Sequence, residues 1–309
     1  MQRPHLSERQ LRSVKVLSSR WQRRIIFVAG GLAVGGAAVG LAQASDWAQI
    51  AFAHALEKWC YASFLITPLG FALSVFLTIR FFPNSQGSGI PQAIAARELD
   101  DQAARSRLVS FRIGVGKVLL TVLGLLCGAS VGREGPTVQV GASIMFALGR
   151  ISPRRQPGLI LAGATAGVAA AFNTPLAGIV FGIEEMSRAF EVRTSGLIIG
   201  TVIAAGLTSL ALVGNYSYFG SSATMLGNGI DWLAIPVCGV VGGLAGGLFS
   251  RLVIAAARGL PGKLGPLIKR YPIAFAFVCG LAVAVCGFLS GDTIYGTGYA
   301  QVKAALESG

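Results

Sequence analysis

Long apolar runs separated by short polar connectors set the architecture of this 309-residue chain. Helical apolar segments read at about 25–53, 61–82, 108–131, 138–148, 159–172, 176–183, 196–213, 232–257 and 273–289. A full crossing needs about 20 apolar residues, so the segments at 138, 159 and 176 are too short to span alone. Glycine and proline break many of the runs, which predicts tilted and discontinuous helices whose ends lie inside the bilayer. The predicted fold class is all-α, a polytopic membrane protein with broken helices.

Composition strengthens this reading. The chain is 53% hydrophobic and only 13% charged, with a mean hydropathy of +0.65, which excludes a soluble globular domain. The formal net charge of +13 sits in the connectors, where membrane topology explains it better than nucleic-acid binding does. The five cysteines lie in or beside apolar segments without a CxxC pair or ligand-like spacing to His5 and His54. They are expected to be small buried residues, with no disulfide framework, metal site or cofactor. No enzymatic activity is expected.

Residues 1–24 are basic, and Leu11, Val14, Leu17 and Trp21 recur at helical spacing. This predicts an amphipathic helix at the cytoplasmic interface, preceding a transmembrane domain from residue 25 to 309; a solvated basic tail is the alternative. With the N-terminus inside, the basic connectors 97–112, 150–155, 187–193 and 258–270 all fall on the cytoplasmic side. The outer connectors then hold only Lys58 and Arg133 as basic residues, provided that 159–183 forms one hairpin of short helices. Pairs of small residues (Gly31 with Gly35, Gly36 with Gly40, Gly239 with Gly243, Gly243 with Gly247) predict close helix packing, within the chain rather than between copies.

Three stretches depart from this apolar background. In Gly87-Ser88-Gly89-Ile90-Pro91, a proline at a helix start preceded by glycines leaves backbone N–H groups without helical partners. Together with the Ser88 hydroxyl and the helix dipole they suit a dehydrated anion and let it leave again. A turn at the membrane surface is the plainer reading. In Gly132-Arg133-Glu134-Gly135-Pro136, Arg133 and Glu134 are the only charged residues between Lys117 and Arg150. A carboxylate at a helix N-terminus occupies the position an anion would take, so Glu134 reads as a built-in competitor that leaves when protonated. The alternative is a structural Arg133–Glu134 ion pair. In Asn173-Thr174-Pro175-Leu176-Ala177-Gly178, a third helix start leads to Glu184 and Glu185 at the cytoplasmic end. Those two carboxylates point about 100° apart, so one is available as an interior proton acceptor while the other pairs with Arg188 or Arg193. Surface capping charges are the alternative.

These boxes, in this order, resemble the CLC family of chloride channels and proton-coupled chloride exchangers. Gly296-Thr297-Gly298-Tyr299 is a weaker fourth match, and the resemblance covers the chain from about residue 25 onward. It implies an ion-binding set of Gly87, Ser88, Gly89, Ile90, Arg133, Glu134 and Gly135, with Ser88 coordinating the central anion and favouring chloride over nitrate. It implies Glu134 as the gating carboxylate and Glu185 as the inner proton-transfer residue. Glu185 matches a position usually valine in channels, so the resemblance implies a Cl⁻/H⁺ exchanger, with a passive channel as the alternative.

The family's Gly-x-Phe-x-Pro helix start and the late tyrosine that shares the anion with the serine are not found up to Gly309. Most of a second, inverted half is therefore expected to be missing, together with late helices that build much of the dimer interface. The chain reads either as part of a longer protein or as a shortened, non-conducting form. The expected partners are chloride, protons and membrane lipid, with a homodimer if full length. The expected location is an inner or plasma membrane with the N-terminus cytoplasmic.

Overall fold

The computed structural model describes residues 8–149, 156–186, 192–215, 227, 229–258 and 264–308. Most of these residues are helical, without a strand among them. The order is α1 (Glu8–Lys58), α2 (Ser63–Arg80), α3 (Ile90–Glu98), α4 (Gln102–Val109), α5 (Phe111–Leu126), α6 (Glu134–Leu148) and α7 (Gln156–Phe172). There follow α8 (Pro175–Glu184), α9 (Val192–Val213), α10 (Ala234–Arg258), α11 (Leu264–Arg270), α12 (Pro272–Leu289) and α13 (Tyr299–Ser308).

Six helical stretches are long and apolar enough to cross a membrane, while α7 and α8 are shorter apolar helices. At a rise of about 1.5 Å per residue, the 15 residues of α6 reach only about 23 Å, less than the roughly 30 Å of a hydrocarbon core. Large apolar side chains stay exposed on α2, α5, α9, α10 and α12, including Leu69, Leu119, Leu207, Leu244 and Val278. Such a surface requires an apolar solvent, and the chain is an integral membrane protein.

The short helices sit inside. Helix α7 is buried along nearly its whole length and packs against α1, α3, α6, α8 and α9. One apolar cluster joins Ala93 and Ala96 of α3, Val138, Ala142 and Phe146 of α6 and Ile160, Ala164 and Val168 of α7. A second joins Phe27, Val34 and Ala38 of α1 to Met145, Ala162, Ala166 and Ala205.

Backbones touch where α6 meets α7. A Cβ added to Gly141 would lie 2.1 Å from the Gly163 carbonyl oxygen, and one added to Gly167 would lie 2.4 Å from that of Thr137. Among the glycine pairs expected from sequence, Gly31 and Gly35 pack on α9 against the carbonyls of Thr201 and Ala205. Gly36, Gly40, Gly239, Gly243 and Gly247 have no neighbour within 4 Å of an added Cβ. Their expected packing within the chain is thus corrected, since they lie on open helix faces.

Three further findings bear on the expected segments. Helix α1 runs unbroken from Glu8 to Lys58, so the basic segment continues the first span and no bend separates an interface helix at residue 24. Of the five cysteines, all free, only Cys127 is buried; Cys60, Cys238 and Cys286 are exposed and Cys279 is intermediate, because most of their helices turn that side outward. The segment predicted at 108–131 divides at Ser110, whose extended backbone (ψ 160°) ends α4 and starts α5. The connectors 150–155 and 187–191 lie outside the described residues.

If backbone contact holds α6 against α7, a methyl group there is overpacking, which destabilises by about 1–3 kcal/mol or prevents folding. Gly163→Ala is expected to lower the thermal unfolding midpoint in detergent or to lose folded protein. Gly239→Ala, in open space on α10, is expected to be neutral or stabilising by up to about 1 kcal/mol. Equal behaviour of the two variants in fluorescence-detected size exclusion and thermal scans contradicts this packing.

Candidate ion-binding site

The first motif makes the start of α3. Gly87 has φ +71° and Gly89 has φ +96°, left-handed values that a side chain rarely adopts and that turn the chain sharply into the helix. Pro91 sits in the first turn of α3, where its missing N–H has no intrahelical role. The Ser88 side chain is exposed, and its Oγ lies 3.4 Å from the Ile90 amide, a long contact that leaves the hydroxyl available.

The second motif packs directly on the first. A Cβ added to Gly135 would lie 2.8 Å from the Ser88 carbonyl oxygen, and one added to Gly89 would lie 2.7 Å from Gln139 Cβ and 3.2 Å from the Gly135 carbonyl oxygen. The N-terminal turns of α3 and α6 therefore meet backbone to backbone. Gln139, one turn further along α6, fastens this contact: its Nε2 donates to the carbonyls of Asn84 (3.1 Å) and Leu108 (2.9 Å).

Glu134 is the first residue of α6 and half-buried. Its carboxylate accepts a hydrogen bond from the Tyr299 hydroxyl. Arg133 turns the other way, donating to Asp46 Oδ1 at 2.7 Å and to the Ala42 carbonyl at 3.0 Å on α1, with its guanidinium 5.1 Å from the centre of the Tyr299 ring. Arg133 forms an ion pair with Asp46, which ties the loop to α1.

Lys117, used in the sequence only to bound a charge-free stretch, belongs to this site. It is 2% exposed in the middle of α5, and its Nζ donates to the carbonyls of Ser85 (2.7 Å) and Gly87 (2.6 Å). A buried ammonium thus fixes the loop from below and places positive charge beside Ser88. The available signal was a lone lysine in a transmembrane helix, which is expensive unless something uses it. Tyr299 was likewise given no role, although a phenol directly after Gly-x-Gly at a helix start was visible.

The third motif lies elsewhere. Thr174 precedes α8 in extended conformation, Asn173 adopts φ 54°, and Gly178 packs against the Thr165 carbonyl of α7. Glu184 ends the helix and Glu185 follows it; both are exposed. The expectation that one faces the interior is therefore not met, because Gly178 and Gly182 take the inner face. Arg188 and the Arg193 side chain lie outside the described residues. Arg97, near the end of α3, donates to the carbonyl of Met186 at 2.5 Å. Ser88 and Glu185 are accordingly at opposite ends of α3, which with nine residues is about 13 Å long. The structure brings Ser88 and Glu134 together and keeps Glu185 apart.

The H(+)/Cl(-) exchange transporter ClcA of Yersinia pseudotuberculosis serotype IB (strain PB1/+) is 33% identical over 242 residues, covering 72% of this chain and 48% of that protein. ClcA of Salmonella schwarzengrund (strain CVM19633) is 32% identical over 292 residues, 86% of this chain and 57% of the other. The chain thus spans about half the length of these relatives. A slow cyanobacterial Cl⁻/H⁺ antiporter superposes with a TM-score of 0.73 at 25% identity, over 93% of this chain and 68% of that one. A CLC-type fluoride/proton antiporter shares the fold, with a TM-score of 0.72 at 20% identity over 97% of this chain and 71% of that one. The family model described as voltage gated chloride channel matches residues 70–309, and the chain belongs to that family.

Proposed function

We propose that this chain takes part in chloride transport across a membrane, coupled to proton exchange. The observation that carries the reading is the backbone contact between the Ser88 loop and the Glu134 helix start, which sets a hydroxyl and oriented N–H groups beside a mobile carboxylate. Gly87, Ser88, Gly89 and Ile90 supply the polar lining, with Lys117 as the buried counter-charge. Arg133 and Gly135 set the loop, and Glu134 exchanges places with the anion. An anion held by partial charges and one buried cation is bound without being trapped. The 33%-identical relatives named as exchangers support proton coupling over a passive pore.

Within this reading residues 25–309 form the transport unit and residues 1–24 a basic cytoplasmic extension, as the distribution of Lys and Arg supports. Glu185, exposed at the far end of α3, takes up protons from the cytoplasmic side. The protein works in an inner or plasma membrane among lipids, as a homodimer if full length.

Neutralising the outer carboxylate tests the central assignment. Glu134→Gln is expected to abolish proton movement in vesicles while leaving chloride permeation in place, and proton uptake driven by a chloride gradient in that variant would sink the role. Glu185→Val is expected to keep chloride movement and lose most of the coupled protons; a reversal potential that follows the proton gradient as in the wild type argues against the inner step. For Lys117→Met, similar in shape but uncharged, chloride affinity by calorimetry is expected to fall about tenfold, or 1.4 kcal/mol. Unfolding is also expected at lower temperature, because the carbonyls of Ser85 and Gly87 lose their donor. Unaltered chloride affinity in folded Lys117→Met protein rules the lysine out of the site.

A further inference from the structure

The segment between α12 and α13 is tied to the outer part of the chain more tightly than a simple connector needs. Asp292 N–H returns to the Gly287 carbonyl at 2.8 Å, and the Tyr295 ring packs edge-on against Phe52 of α1 with centroids 5.0 Å apart. Ser130, just before the second motif, donates its hydroxyl to the Ile294 carbonyl at 2.5 Å. Gln49 Oε1 on α1 accepts from the Thr297 amide (2.9 Å) and hydroxyl (3.1 Å). These ties converge on Tyr299, whose ring lies against the Arg133 guanidinium, itself fixed by Asp46.

The Tyr299 hydroxyl donates to Glu134 Oε1. The other carboxylate oxygen is turned back over Gly132, where an added Cβ would lie 2.5 Å from Oε2. Thus the carboxylate lies between Gly132 and the phenol. A phenol is protonated across the ordinary pH range, so it stabilises an ionised carboxylate in this position with a charge-assisted hydrogen bond. Arg133 and Asp46 are the charged partners seen there; they fix the ring and the loop.

We infer that Tyr299, braced by Arg133 and Asp46 and by the anchored α12–α13 segment, is an outer latch: it holds the Glu134 carboxylate out of the anion position. The latch rests on Glu134 being the anion's competitor, as proposed above. Tyr299 is a positioning residue; it sets how much of the time the anion position is open.

The test compares wild type, Tyr299→Phe, Glu134→Gln and the double variant in detergent-solubilised chain. Phenylalanine keeps the ring over Arg133 and removes only the hydroxyl. Released from the phenol, the carboxylate competes more strongly, so Tyr299→Phe is expected to weaken chloride binding about tenfold by calorimetry. In the Glu134→Gln background the same change is expected to have no effect. A chloride affinity unaltered by Tyr299→Phe, or lowered equally in both backgrounds, overturns the latch. Glu134→Gln alone decides the parent reading: if it alters neither chloride affinity nor coupling, Glu134 is not the competitor. Thermal unfolding of the same four proteins checks the hydrogen bond without chloride. Non-additivity of about tenfold in the unfolding equilibrium constant supports the latch, and additive effects overturn it.

Discussion

The contact on which the structure depends is the close approach of helix backbones along α6. In a bilayer, lipid tails solvate apolar side chains as well as protein does, so helices are held together by dense packing and by polar contacts. Dense packing needs the backbones near each other, which only the absence of side chains allows. Gly141, Gly163 and Gly167 provide this between α6 and α7, and Gly89 with Gly135 provide it between the starts of α3 and α6. Because α6 is gripped at both places, the position of Glu134 follows from the packing and not from its own few contacts. A motif that reads as a functional signature is thus also a packing requirement: Gly135 is needed because the Ser88 carbonyl lies where its side chain would be.

Electrostatics builds on that scaffold. A site for an anion inside a membrane must offer enough positive potential to offset dehydration, yet a fully charged residue in direct contact would hold the ion too firmly. The chain divides the task. Lys117 places its ammonium one layer below, on the carbonyls of Ser85 and Gly87, so its charge acts through the loop. Arg133 is taken up by Asp46 and the Ala42 carbonyl, so it stabilises the outer scaffold. In the proposed reading the side chain that changes position is Glu134.

The sequence made the helices and the two outer motifs legible because both are local properties. Apolar runs end where polar, glycine or proline residues occur, and the predicted segment 273–289 agrees with α12 to within a residue. Glycines before Pro91 marked a helix start, and α3 begins there, with Gly87 and Gly89 at positive φ. What was hidden depends on contacts between distant parts of the chain. Tyr299 is 165 residues from Glu134 and Asp46 is 87 from Arg133, and no local pattern pairs them. Lys117 looked like a boundary because its partners are backbone carbonyls, which carry no identity in a sequence. Glycine spacing failed at Gly36 and Gly239 for a related reason: it marks a face able to pack without saying whether anything packs there.

The separation of the two proposed proton-handling carboxylates sets a physical condition on coupling. Between Ser88 and the Arg97–Met186 contact runs α3, whose Ala93 and Ala96 share an apolar cluster that includes Val138, Ala142, Ile160, Ala164 and Val168. Among these described residues there is no titratable group to relay a proton. In the proposed coupling a proton passes along α3, a helix of nine residues or about 13 Å, beside side chains that cannot relay it, while an anion at Ser88 needs only the polar turns of α3 and α6. In the proposed reading the two ions share the neighbourhood of Glu134, so exchange would be governed by how long that carboxylate stays in each place. Whatever holds it, including a phenol anchored to α1, then acts on both ions at once without touching either path.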